Sequence, residues 1–183
     1  MNTATPIFCP ATLGLELPDC GAAGPSPRDQ QAVLAALGTA KIDWSVFGPH
    51  LAFDHELYVR RRLYRNENWE ILLLCWLPGH KTAIHDHGDS WGATLVLMGD
   101  LVESQYQWHG RGIPLTMKGD SPLGERQITV ETQSTIHTVS NRSAAPAASL
   151  HLYSPPLDFL HAYDALSGDQ NRVEPAESRF YTR

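Results

Sequence analysis

The stretch Ile71-Leu72-Leu73-Leu74-Cys75-Trp76-Leu77-Pro78-Gly79-His80-Lys81-Thr82-Ala83-Ile84-His85-Asp86-His87 carries both the core signal and the chemical signal of this chain. Its apolar run, closed by Pro78-Gly79, reads as a strand that ends in a turn. Successive strand side chains point to opposite faces. An extended 82–87 segment therefore puts His85 and His87 on one face and Asp86 on the other. Two imidazoles at that spacing suit a divalent transition metal, because neutral imidazole is a borderline ligand for Fe, Zn, Cu or Ni. Taken alone, the pair also describes two surface histidines in a loop.

Working outward, short apolar strands separated by turn signals are expected at 57–64, 69–77, 82–87, 93–97, 101–108, 124–129, 135–139 and 147–153. Strands at this spacing point to an all-β sandwich or barrel. Asn66-Glu67-Asn68 and Met98-Gly99-Asp100 read as hairpin turns. Upstream, residues 1–25 are rich in Ala, Pro and Gly and read as a loosely held terminus. Ser26-Pro27 then reads as an N-cap and first helical position, followed by a short apolar face of Val33, Leu34 and Leu37. A second short helical or irregular segment is expected over 44–55, and these elements should pack as a helical flank against a sheet. The expected division is a flank over 1–45, a barrel over 46–165 and a polar tail over 166–183.

Composition narrows the function. The chain has 183 residues, 42% of them hydrophobic, enough for one core. Fourteen basic against twenty acidic residues give a formal charge of −6, and the only basic cluster is Arg60-Arg61-Arg62. That balance does not suit nucleic acid, which is bound by extended basic surface. No apolar run approaches a bilayer span and no opening segment has the order of a signal peptide, so the expectation is a soluble, cytoplasmic protein. Cys9, Cys20 and Cys75 are too few and too odd in number for a disulfide framework. The oligomeric state is not legible.

A wider pattern surrounds the two histidines. Gly79, five residues, His85, one residue, His87, four residues, Gly92, six residues, Gly99 resembles the first metal motif of the cupin superfamily, and His137, three residues, Asn141 resembles the second. The glutamate that many cupins carry in the first motif is replaced by Gly92, and the Pro-x-Gly upstream of the second is absent. More closely, the chain resembles the cysteine dioxygenases of the thiol dioxygenase family. The matching text is Cys75 to Trp91, Tyr58-Val59-Arg60 upstream, and Ser149-Leu150-His151-Leu152-Tyr153-Ser154-Pro155-Pro156 downstream.

The resemblance implies a cupin jelly-roll β-barrel, with His137 joining His85 and His87 around a mononuclear Fe(II). Ligand identity alone leaves zinc open. It further implies that Arg60, with Tyr58 beside it, binds a substrate carboxylate through the planar guanidinium fork. Ser149, His151 and Tyr153, on one strand face at i, i+2, i+4, would form a relay ending at the phenol. The other histidines, 50, 55, 80, 109 and 161, read as surface residues. The implied reaction is oxidation of L-cysteine by O2 to cysteine sulfinate. Another small thiol such as 3-mercaptopropionate is the alternative substrate, and a metal-binding cupin without redox activity is the alternative class. Animal members of the family carry a cysteine at position 92 that cross-links to the active-site tyrosine. Gly92 offers no sulfur, so Tyr153 should stay an unmodified phenol.

Overall fold

Strand β2 (Glu70–Trp76) is buried along its whole length, and its two faces go to different places. Ile71, Leu73 and Cys75 pack into one apolar cluster, while Leu72, Leu74 and Trp76 pack into another. Burial on both faces is why its sequence is a continuous apolar run rather than an alternation. A computed structural model describes residues 8–175. Among them, β1 (Val59–Arg65), β2, β9 (Ala147–Ser154), β4 (Trp91–Met98) and β7 (Ile128–Glu131) form one sheet in that order. The second sheet runs β11 (Gln170–Val173), β10 (Leu160–Tyr163), β3 (Ile84–His85), β8 (His137–Ser140), β5 (Leu101–Gln107) and β6 (Thr116–Leu123). All neighbours are antiparallel. The all-β jelly-roll expectation holds.

The first cluster joins the five-stranded sheet to the N-terminal flank. Helix α1 (Pro27–Thr39) starts with a capping box: Ser26 Oγ accepts from the Asp29 amide at 3.3 Å, and Asp29 Oδ2 accepts from the Ser26 amide at 3.1 Å. It buries Val33 and Leu37 in that cluster. The 44–55 segment resolves into a short helix, Trp44–Phe47, and a 3-10 turn, Gly48–His50. The second cluster lies between the sheets and forms the inner wall of the barrel. Among the described residues no helix is long and apolar enough to cross a membrane.

Several expectations need correction. Residues 8–25 are not loosely held: Phe8, Leu13 and Leu15 are buried in the first cluster, because the outer face of the five-stranded sheet is apolar and needs cover. Residues 1–7 lie outside the described part. The Met98-Gly99-Asp100 turn is not a hairpin, since β4 and β5 belong to different sheets. Strand β6 was not expected. It is exposed except at Leu123 and pairs only with β5, an edge where Pro122 is tolerated and no apolar alternation is required. Residues 124–129 are strand only from Ile128. Within the expected tail, Gln170–Val173 is a strand paired with β10. Residues 176–183 lie outside the described part.

Candidate active site

The second sheet assembles the histidines. His85 on β3 and His137 on β8 are direct cross-strand partners, and His87 follows two residues after His85. The three rings have centroids 4.8 to 5.0 Å apart, and one ligand atom from each lies within 4.8 Å of the others. All three side chains are buried. Asp86 points away as expected: it accepts from His161 Nδ1 at 2.9 Å and from the Tyr163 hydroxyl at 2.7 Å, tying the loop to β10.

The protonation pattern suits a cation. His85 Nδ1 donates to the Ala83 carbonyl at 2.9 Å and His137 Nδ1 donates to Glu103 Oε1 at 2.6 Å. A carbonyl can only accept, so His85 carries its hydrogen on Nδ1 and leaves the lone pair of Nε2 free. Neither ring nitrogen of buried His87 has a hydrogen-bond partner, an expensive arrangement unless something else fills that role. Burial, reinforced by the neighbouring His137, lowers His85 from 6.5 to about 3 and holds His87 well below its ordinary value. Neutral rings are the ligating form. Burial opposes ionisation of Glu103, yet its side-chain hydrogen bonds, that with His137 foremost, hold it below the usual carboxylate range. The site therefore fits a divalent transition ion held by three imidazoles. Glu103, Glu131 and His137 also cluster, but there the His137 Nδ1 is already committed to Glu103.

The opposite wall comes from the first sheet. On β9, Ala148, Leu150 and Leu152 pack toward the flank, and the alternate residues Ser149, His151 and Tyr153 line up across β2 and β4. Ser149 pairs with Leu74 and Val96, His151 with Leu72 and Thr94, Tyr153 with Glu70 and Gly92. Tyr58, Arg60, His151 and Tyr153 line the same cavity of about 210 Å³ as His85 and His137, with Leu157 and Leu160 among its apolar walls. Buried Tyr58 stacks on Trp76 with centroids 4.7 Å apart. Arg60 Nη2 lies 3.6 Å from Glu70 Oε2. Glu70 is also approached by Arg62 and Arg65, so three guanidinium groups share one carboxylate and a net positive charge remains.

That arrangement can be compared with known proteins. The cysteine dioxygenase type I family model matches residues 28–166. The chain belongs to that family. Cysteine dioxygenase type 1 of Rattus norvegicus is 36% identical over 150 residues, covering 80% of this chain and 74% of the relative. The human enzyme is 34% identical over the same length and shares. A crystal structure from Thermus thermophilus matches with a TM-score of 0.51 at 20% identity, over 63% of this chain and 96% of that one. A double-stranded β-helix protein from Klebsiella pneumoniae gives 0.51 at 14% identity, over 64% and 93%. These two structures support the fold only. As a cysteine dioxygenase family member, the chain is an oxidoreductase of the cupin fold.

Within this candidate site, several residues had no sequence signal. Glu103, Thr94 and Glu131 are isolated polar residues in apolar or mixed strands, and only the register brings them inward. Glu131 sits beside Gly92 in the cross-strand register and is fully buried. Burial pushes its carboxyl up to about 7, against the opposing pull of His137. The expectation that the remaining histidines are surface residues fails for His50 and His80, which are buried, and for half-buried His161. His80 Nδ1 accepts from the Leu77 amide at 3.0 Å and braces the turn before His85 and His87.

Proposed function

We propose that this protein oxidises L-cysteine with O2 to cysteine sulfinate, with Fe(II) held by His85, His87 and His137. The observation that carries this reading is the clustering of His85, His87 and His137 at a small cavity whose lining includes His85 and His137 together with Arg60 and Tyr153. When bound, Fe(II) supplies redox chemistry that zinc cannot. Both oxygen atoms end on sulfur, which gives up four electrons, so the reaction needs no external reductant.

The residues of the chain divide the remaining work. Arg60 binds the substrate carboxylate, and its charge is retained because Glu70 is shared among three arginines. Tyr58 and Trp76 form a stacked wall that holds the arginine strand in place. The Tyr153 hydroxyl reaches the reacting end of the cavity; burial pushes its acidity far from the neutral range, so it serves as a neutral hydrogen-bond donor. The cavity, about 210 Å³, is below the roughly 300 Å³ where drug-sized pockets begin, which suits a small amino acid.

The test is iron-loaded protein in an oxygen electrode, with sulfinate measured by NMR. One O2 consumed per sulfinate, abolished when zinc replaces iron, is the expected result. A strong preference for 3-mercaptopropionate would overturn the substrate, and no thiol-dependent O2 uptake would overturn the reaction.

A further inference from the structure

We propose that Thr94 and Glu131 are positioning residues that draw the Nδ1 hydrogen of His151 away from Tyr153, leaving the Tyr153 hydroxyl free to direct its own hydrogen into the cavity. The sequence-level relay ended at the phenol. In the structure a second branch leaves it at His151, toward Thr94.

Donor directions follow from what each group can do. An indole N–H can only donate, and Trp76 Nε1 donates to Ser149 Oγ at 3.0 Å. Ser149 Oγ also lies 2.8 Å from His151 Nε2. If it accepted there as well, its own hydrogen would be a buried donor without an acceptor, so it donates to Nε2. Burial lowers His151 to about 3, and the ring is neutral. Its one hydrogen is therefore on Nδ1.

That hydrogen faces two oxygens, Thr94 Oγ1 at 2.8 Å and Tyr153 Oη at 3.3 Å. Thr94 is the shorter branch, and its hydroxyl hydrogen goes on to Glu131 Oε1 at 2.7 Å. Four donations thus run in one sense through five groups, Trp76 to Ser149 to His151 to Thr94 to Glu131. The two ends agree, because the indole only donates and Glu131 Oε1 accepts. In a neutral carboxyl the same sense requires the hydrogen to sit on Oε2, the oxygen that faces Gly92, so that Oε1 still accepts. With Nδ1 protonated, His151 has no lone pair there for the phenol, so the Tyr153 hydrogen is available to the cavity.

Register makes this possible. Gly92 stands opposite both Tyr153 and Glu131, and a Cβ there would lie 2.8 Å from Glu131 Oε2 and 2.8 Å from Tyr153 Cε1. The missing side chain is the room into which the carboxyl folds to reach Thr94.

The inference rests on His151 and Tyr153 belonging to the active site, and its test does not use turnover. Long-range 1H–15N spectra of 15N-histidine-labelled full chain, with and without diamagnetic Zn2+, report which nitrogen of His151 carries hydrogen, the signal being assigned by its loss in His151→Gln. The expected wild-type ring is Nδ1–H. Ser149→Ala should keep it, because Thr94 still accepts; adding Thr94→Val should give a mixed or Nε2–H ring, and Thr94→Ser in the same background should restore Nδ1–H. An Nε2–H ring in wild type overturns the inference without any variant. So does loss of Nδ1–H in Ser149→Ala alone, or an unchanged ring in the double variant. Failure to oxidise cysteine would overturn the proposed reaction and leave this chain of bonds standing.

Discussion

His137 and Glu103 are joined by a buried hydrogen bond, 2.6 Å from Nδ1 to Oε1. A carboxylate behind a ligating imidazole fixes its orientation and raises its basicity. Glu103→Gln keeps the shape and removes the charge. Metal affinity should fall by roughly 10- to 100-fold, measured by competition with a chelator. Unchanged affinity would show that Glu103 does nothing for the metal.

Two of the buried rings resist protonation. His85 and His151 are lowered from 6.5 to about 3 in the folded chain. The unfolded chain takes up protons that the folded rings refuse, so their contribution to stability is present above about pH 6.5 and lost as pH falls toward about 3. The urea midpoint of metal-free protein should drop over that window, and His151→Gln should flatten the drop. A midpoint independent of pH there would contradict the burial of these rings.

Arg60 is tested by comparing two thiols. A charge-assisted hydrogen bond is worth about 1.5 to 3 kcal/mol, so Arg60→Gln should lower kcat/KM for cysteine by about tenfold or more. Cysteamine, which has no carboxylate, should be affected far less. Equal losses for both would remove Arg60 from carboxylate binding and make it a packing residue.

Gly92 has neighbours on both sides. Gly92→Ala would press a methyl against Glu131 Oε2 and the Tyr153 ring, and overpacking of this kind costs about 1 to 3 kcal/mol. Thermal unfolding measures it. Because position 92 has no sulfur, intact mass before and after many turnovers should show no loss of two hydrogens. A deficit of that size mapped to Tyr153 would mean that its ring finds another covalent partner.

The flank is part of the core. Leu37 is fully buried under the five-stranded sheet, so Leu37→Ala should destabilise the whole protein by about 2 to 5 kcal/mol. Melting of the flank alone, with the barrel intact, would show that the two are not one cooperative unit.

Much of this site could be read from residue spacing. His85 and His87, and Ser149, His151 and Tyr153, all obey the period of two, and the family resemblance added His137 and Arg60. Glu103, Thr94 and Glu131 could not be found that way. Each is a single polar residue whose meaning lies in the strand paired beside it, and pairing is a long-range property. Strand β6 escaped for a different reason: an exposed edge has no buried face to impose a pattern. Phe8, Leu13 and Leu15 were hidden by the Pro and Gly around them, which signal turns but say nothing about burial.

Strand β9 has consequences for how the gene can vary. Ala148, Leu150 and Leu152 serve the flank, and the residues between them serve the cavity. Inserting or deleting one residue near its start would exchange the two sets, seating a serine, a histidine and a tyrosine under α1 and three aliphatic chains toward the cavity. Substitutions along β9 can be absorbed one at a time, but a change in length cannot. The same insertion in β6 meets only solvent and one neighbour. Length variation among natural or engineered versions of this protein should therefore collect at the β6 edge and be absent from β9.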